Sequence, residues 1–83
     1  PLANGQGYTF LRAGDVERAL RTFRLNVRVH PSYTNGWDSL GEAYEQAGRI
    51  AEAIAAFEEV LKREPENGRA PEFVTRLRAR SGR

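Results

Sequence analysis

With 83 residues, a 40% apolar share and no cysteine, the chain has room for one small domain and holds neither a disulfide framework nor a thiolate ligand or nucleophile. No apolar run approaches the roughly 18 residues of a membrane span, and no charged-then-apolar signal peptide opens the chain. The net charge is only +2, and its excess crowds Arg69, Arg76, Arg78, Arg80 and Arg83; a solvated helix face explains this better than a nucleic-acid footprint, which needs a denser stripe with free aromatic rings.

The chain opens on Pro1, not methionine, and its pattern begins at once, as expected of a segment of a longer protein. A first helix is expected over 2–13, closed by Gly14. Asp15 is a good N-cap for a second over 16–29, whose inner stripe is Ala19, Leu20, Phe23 and Val27. Pro31 closes that helix, and Ser32 is the expected N-cap of a third over 33–46. There Trp37, Leu40, Gly41 and Tyr44 share one face. Glycine in mid-helix costs about 1 kcal/mol relative to alanine, so Gly41 implies close approach of a neighbouring helix backbone. Gly48 suits a left-handed C-cap, and Ile50, Ala53, Ile54, Phe57, Val60 and Leu61 then form the stripe of a fourth helix over 50–63. Small Ala53 marks the closest approach of the helix pair, and Pro65 ends the segment. A fifth helix over 71–80 turns Phe73, Val74 and Leu77 inward and its arginines outward. Glu17–Arg21, Glu58–Lys62, Glu59–Arg63 and Glu72–Arg76 are i,i+4 pairs in the favourable order. The expected fold class is all-α.

Sliding the chain by 34 residues superposes Gly7 on Gly41, Ala13 on Ala47, Gly14 on Gly48, Ala19 on Ala53, Phe23 on Phe57 and Pro31 on Pro65. Phe10 with Tyr44, Val16 with Ile50, Leu20 with Ile54 and Val27 with Leu61 are conservative pairs in the same register. That period is the length of a helix–turn–helix repeat.

The run Trp37, Leu40, Gly41, Tyr44, Gly48, Ala53, Phe57, Pro65 resembles the tetratricopeptide (TPR) signature. The first repeat departs from it at Ala3, Gln6 and Asn26 but keeps Gly7, Phe10, Gly14, Ala19, Phe23 and Pro31. The resemblance covers about residues 2–66. It implies a right-handed α-solenoid fragment in a single domain: repeat one over about 1–33, repeat two over about 34–67, and a capping helix over about 70–80 with one face for the last repeat and one for water. A narrower likeness lies in Asn4–Gly7–Tyr8, Phe23–Asn26–Pro31 and the stretch Asp38 to Tyr44. These strings resemble the short C-terminal TPR tail of some bacterial serine hydrolases, β-lactamase-like or esterase-like, which implies a catalytic part upstream of this chain.

No catalytic constellation is visible. His30, the only histidine, sits before Pro31 at a helix end that favours cations, and it lacks partners for a metal. Capping accounts for Ser32 and helix surface for Ser39, neither of them on a strand–turn–helix elbow. Gly5 and Gly7 follow no strand, which excludes a phosphate loop. Glu58 and Glu59 point around their helix. No enzyme activity, cofactor or metal is expected.

In tetratricopeptide arrays the first helix of each repeat lines the concave face. By that resemblance the partner-binding face holds Asn4, Tyr8, Leu11 and Arg12 from repeat one, and Asn35, Asp38, Glu42, Glu45 and Gln46 from repeat two. Some members clamp a peptide's C-terminal carboxylate here; Asp38, Glu42 and Glu45 would repel such a ligand. A basic or mixed peptide, or another domain of the parent protein, fits better, and a merely solvated face is the plain alternative. An uncovered edge at Leu2, Ala3, Gln6 and Phe10 would seek a preceding domain or a second copy, giving a symmetric dimer. The expected function is thus a non-catalytic protein-interaction scaffold; the alternative is an accessory tail that stabilises, dimerises or docks a larger enzyme.

Overall fold

The computed structural model describes residues 2–81, with side chains from residue 4 to residue 80. Five helices follow one another: α1 (Leu2–Arg12), α2 (Val16–Val29), α3 (Thr34–Gln46), α4 (Ile50–Arg63) and α5 (Arg69–Ser81). Each packs chiefly on its neighbours in sequence, and α1 also meets α3. Arg83 of the arginine cluster and the side chains of Leu2 and Ala3 at the expected edge lie outside the described residues.

Short turns set the hairpins. Gly14 and Gly48 take φ of 82° and 76°, a left-handed conformation that costs a side-chain-bearing residue about 1–2 kcal/mol. Around them the Asp15 N–H donates to the Phe10 carbonyl at 2.9 Å and the Gly14 N–H to that of Leu11 at 3.1 Å. Thirty-four residues on, the Arg49 N–H donates to Tyr44 at 2.9 Å and the Gly48 N–H to Glu45 at 3.0 Å. Both sites therefore close with the same reciprocal pair of bonds. Asp15 caps α2 as expected, its Oδ1 accepting from the Arg18 N–H at 3.2 Å.

The N-cap of α3 is Tyr33, not Ser32, and its side chain makes no cap bond. The reason is a turn that links the Tyr33 N–H to the His30 carbonyl at 3.1 Å and leaves Ser32 inside the turn, one residue too early.

The core runs through Ala19, Leu20, Phe23, Leu40, Ala53, Phe57, Val60 and Leu77. Full burial of such aliphatic or aromatic side chains is worth roughly 1.5–3 kcal/mol each. Gly41 is explained by a side chain and not by the backbone approach expected for it: a Cβ there would lie 2.7 Å from Cζ of Phe57. Gly7 repeats the arrangement one period earlier, with Cε1 of Phe23 only 2.3 Å from the Cβ position. The period is thus also a period of ring-into-glycine packing. Phe57 in turn stacks on Phe73 of α5, centroids 4.8 Å apart and planes 7° from parallel.

Of the four expected i,i+4 pairs, Glu59–Arg63 forms, at 2.6 Å. Glu58 instead binds Arg78 across to α5, and Arg76 binds Glu45 in place of Glu72. A same-helix pair is worth only about 0.2–0.5 kcal/mol, so an opposite charge on the next helix readily wins. Arg63 also lies over the Trp37 ring, 4.6 Å from its centroid. Asn26 is 2% exposed, and neither atom of its amide finds a partner among the described residues. The same position in the second repeat is the buried Val60.

Candidate functional site

One face of the molecule is built from α1, α3 and α5, and residues one period apart stand side by side on it. Tyr8, Glu42 and Arg76 occupy the same position of successive helices. The Tyr8 hydroxyl donates to Oε1 of Glu42 at 2.8 Å and accepts from Oγ of Ser39 at 3.0 Å. Arg69 at the start of α5 donates from Nη1 to Oδ2 of Asp38 at 2.8 Å and from Nη2 to Oε2 of Glu42 at 3.4 Å. Further along, Nη2 of Arg76 reaches both oxygens of Glu45, at 3.0 and 2.9 Å, and Arg80 adds a bond of 3.1 Å to the same carboxylate.

Phe73 carries two of these cations: Arg69 and Arg76 lie 5.2 and 4.7 Å from its ring centroid. Between α3 and α5 runs an open groove of about 480 Å³ lined by Glu42, Glu45, Gln46, Phe73, Arg76 and Arg80.

Burial shapes the acid–base properties of this face. It pushes the Tyr8 hydroxyl up to about 12; the bond from Ser39 opposes that rise, and Glu42 adds to it. Burial also raises the Asp38 carboxyl, a rise that Arg69 offsets only in part. The ion pairs are different in kind. Arg69, Arg76 and Arg80 are at least half exposed, and pairs of that sort contribute about 0–1 kcal/mol each. Groups held so weakly can exchange partners with an incoming ligand.

The nine residues expected on the partner-binding face separate. Tyr8, Asp38, Glu42, Glu45 and Gln46 come together along the groove and its polar network. Asn4 is half-buried on α1 with its Oδ1 unpartnered. Leu11 is only 8% exposed and belongs to the core, because its helix turns that side toward α2. Arg12 is exposed at the end of α1, and Asn35 borders a separate hollow with Tyr33 and Glu64.

Sequence reasoning missed Ser39, which is buried against Tyr8 and is not helix surface, and missed the role of α5. The arginines of that helix do not simply face water. They neutralise the carboxylates of α3, so the expected repulsion of anionic ligands by Asp38, Glu42 and Glu45 is compensated within the chain. The 34-residue shift itself held the signal, since it carries Asn35, Glu42 and Gln46 onto Arg69, Arg76 and Arg80. Among the described residues no three His, Asp or Glu side chains cluster to hold a metal, and no helix is long and apolar enough to cross a membrane.

Comparison with known proteins agrees with this architecture. A family model described as tetratricopeptide repeat matches residues 4–68. The chloroplastic tetratricopeptide repeat domain-containing protein PYG7 of Arabidopsis thaliana is 34% identical over 64 residues, covering 77% of this chain and 21% of the relative. A TPR repeat-containing protein of Pseudomonas aeruginosa is 42% identical over 57 residues, covering 69% of this chain and 54% of the relative. The chain thus spans about a fifth to a half of these relatives, and neither is described as a serine hydrolase. Among solved structures, the first TPR of Spaghetti (RPAP3), bound to the HSP90 peptide SRMEEVD, superposes with a TM-score of 0.91 at 23% identity, covering 99% of this chain and 65% of that one. A MamA mutant gives 0.87 at 25% identity, covering 98% and 44%.

Proposed function

The chain belongs to the tetratricopeptide repeat family, and from that premise we propose that it is a protein-interaction module that catalyses no reaction itself and holds an extended segment in the groove between α3 and α5. Domains of this family serve as a rule as interaction modules and not as catalysts. The proposal includes the division of the chain into two repeats, about 1–33 and 34–67, with α5 as closing helix.

The observation that carries the reading is the exposed pairing of Arg76 with Glu45 in the lining of the groove, made through one guanidinium nitrogen. The remaining N–H groups of Arg76 can meet an incoming carboxylate, and Glu42 and Glu45 can accept an incoming cation. A segment of mixed charge satisfies both, whereas a wholly acidic or wholly basic one satisfies half. The RPAP3 domain of similar fold is bound to the peptide SRMEEVD, which carries one arginine beside two glutamates and an aspartate, a precedent for a mixed-charge ligand on this fold. A segment of a partner protein and a neighbouring domain of the parent chain are equivalent occupants for this chemistry.

Isotope-labelled chain titrated with SRMEEVD, with an all-acidic and with an all-basic peptide of equal length provides the test. The expected result is saturable shifts at Glu42, Gln46, Phe73 and Arg76, strongest for the mixed peptide and reduced by Glu45→Ala. Binding that maps elsewhere, or that ignores Glu45→Ala, refutes the groove. A second reading, association through the outer face of α2, is favoured by Leu25 and Val29, which are 57% and 59% exposed.

A further inference from the structure

Three asparagines of the chain are followed by glycine: Asn4–Gly5, Asn35–Gly36 and Asn67–Gly68. In such a pair the glycine nitrogen, unshielded by a Cβ, can attack the asparagine's side-chain carbon and close a succinimide ring. The fold treats the three pairs differently. Asn4 and Asn35 lie in α1 and α3, where helical backbone angles turn the next nitrogen away from the side chain. Gly36 is moreover buried, and its N–H donates to the Tyr33 carbonyl at 3.0 Å. Asn67–Gly68 lies between α4 and α5, and the Gly68 N–H donates no hydrogen bond among the described residues.

The Asn67 side chain is also held and polarised. Its Oδ1 accepts from the backbone N–H groups of Arg69 and Ala70, each at 2.9 Å, and so caps the start of α5. Its Nδ2 donates to Oε1 of Glu64 at 3.2 Å. When a nucleophile adds to Cγ, negative charge grows on Oδ1, where two backbone donors already stand. That is the arrangement of an oxyanion hole, which lowers the barrier to such an addition.

We propose that Asn67–Gly68 is a site of spontaneous deamidation which the fold singles out and which governs the capping of α5. The Gly68 nitrogen gives its proton to hydroxide and bonds to Cγ of Asn67. The Cγ–Nδ2 bond then breaks, and Nδ2 leaves as ammonia with a proton from water. A second water opens the succinimide. Opening at Cγ leaves an aspartate, whose carboxylate keeps the cap and suits a helix N-terminus. Opening at the main-chain carbonyl leaves an isoaspartate, which routes the backbone through Cβ and Cγ and turns the capping oxygen into a main-chain carbonyl. The isoaspartate removes the cap from the first turn of α5, where Arg69 meets Asp38 and Glu42.

Chain held in neutral and mildly alkaline buffer, folded and in urea, is sampled by tryptic mass spectrometry, which finds Asn67 in fragment 64–69 and Asn35 in fragment 29–49. In the folded chain Asn67 is expected to convert at least about tenfold faster than Asn35. Isoaspartate should appear among its products, and the rate should rise with hydroxide. In urea the Asn35 rate should climb to that of Asn67, which itself should not increase. Gly68→Ala should suppress the conversion and keep the fold, since a Cβ there meets nothing within 4 Å and the residue is not left-handed. The purified isoaspartyl form should exchange its Arg69 and Ala70 amide hydrogens faster, with α1 and α2 unchanged. Equal rates at Asn67 and Asn35 in the folded chain, or an Asn67 that converts faster in urea, overturns the proposal. So does undiminished conversion in Gly68→Ala, or an isoaspartyl form whose Arg69 and Ala70 amides exchange no faster.

Discussion

Two glycines on one short helix should respond to the same substitution with opposite signs. In α1, a Cβ added at Gly5 meets nothing within 4 Å, whereas one added at Gly7 falls 2.3, 2.6 and 2.7 Å from three carbons of the Phe23 ring. Helix propensity favours alanine over glycine by roughly 0.5–1 kcal/mol in both places. At Gly5 nothing opposes that gain, so Gly5→Ala should stabilise the fold by about that amount. At Gly7 the new carbon sits more than 1 Å inside the 3.5–4.0 Å of favourable carbon contact. The ring cannot simply retreat: Phe23 is fully buried and its edge packs on Tyr8, centroids 5.3 Å apart. Overpacking of this kind costs typically 1–3 kcal/mol, and this contact belongs at the upper end. Net of propensity, Gly7→Ala should destabilise by about 1–2 kcal/mol, or roughly 5–15 °C in Tm for a domain this small. Thermal and urea unfolding of the two variants in parallel measures the difference. Gly7→Ala combined with Phe23→Leu tests the cause, because relieving the clash should make the double variant more stable than the sum of the two single changes predicts. A Gly7→Ala variant as stable as Gly5→Ala would refute the close packing of α1 on α2.

Asn26→Leu replaces a buried, unpartnered amide by an apolar side chain of similar shape, so urea unfolding should show a gain of about 1–3 kcal/mol; a loss would mean that the amide has a partner. Tyr8 has its pKa raised on folding from 10.0 to about 12. Stability from its neutral hydroxyl is therefore complete below pH 10 and is lost as pH rises toward 12. Ultraviolet titration should show a phenol step near pH 12, and Tyr8→Phe should remove that step together with part of the alkaline destabilisation. Glu59 has its pKa lowered, first by the bond from Arg63. Its contribution is present above the ordinary value of 4.5 and is lost as pH falls through the depressed one, so Glu59→Gln should flatten acid unfolding there.

The five helices and the partition of the core are legible in the order of residues alone. Helix periodicity, the glycines of two left-handed turns and the prolines after two helices are local properties, and a 34-residue shift turns them into a repeating architecture. That is why Asp15 stands out as a cap, and Phe23, Phe57 and Leu77 as core, from their spacing. Local patterns also mislead in identifiable places. Ser32 has the chemistry of a cap, but the turn after His30 puts Tyr33 in that position. Ser39 has the chemistry of a helix surface and lies buried against Tyr8.

Only the tertiary structure decided which charges meet. Long arginine and glutamate side chains choose partners by what the adjacent helix presents, at energies of about 1 kcal/mol or less, and no spacing along one helix encodes that choice. Arg69, Arg76 and Arg80 consequently turn an acidic row on α3 into a groove of paired charges. Leu25 and Val29 needed the same view in space: in sequence they continue a helix, and only the packing of α2 leaves them 57% and 59% exposed.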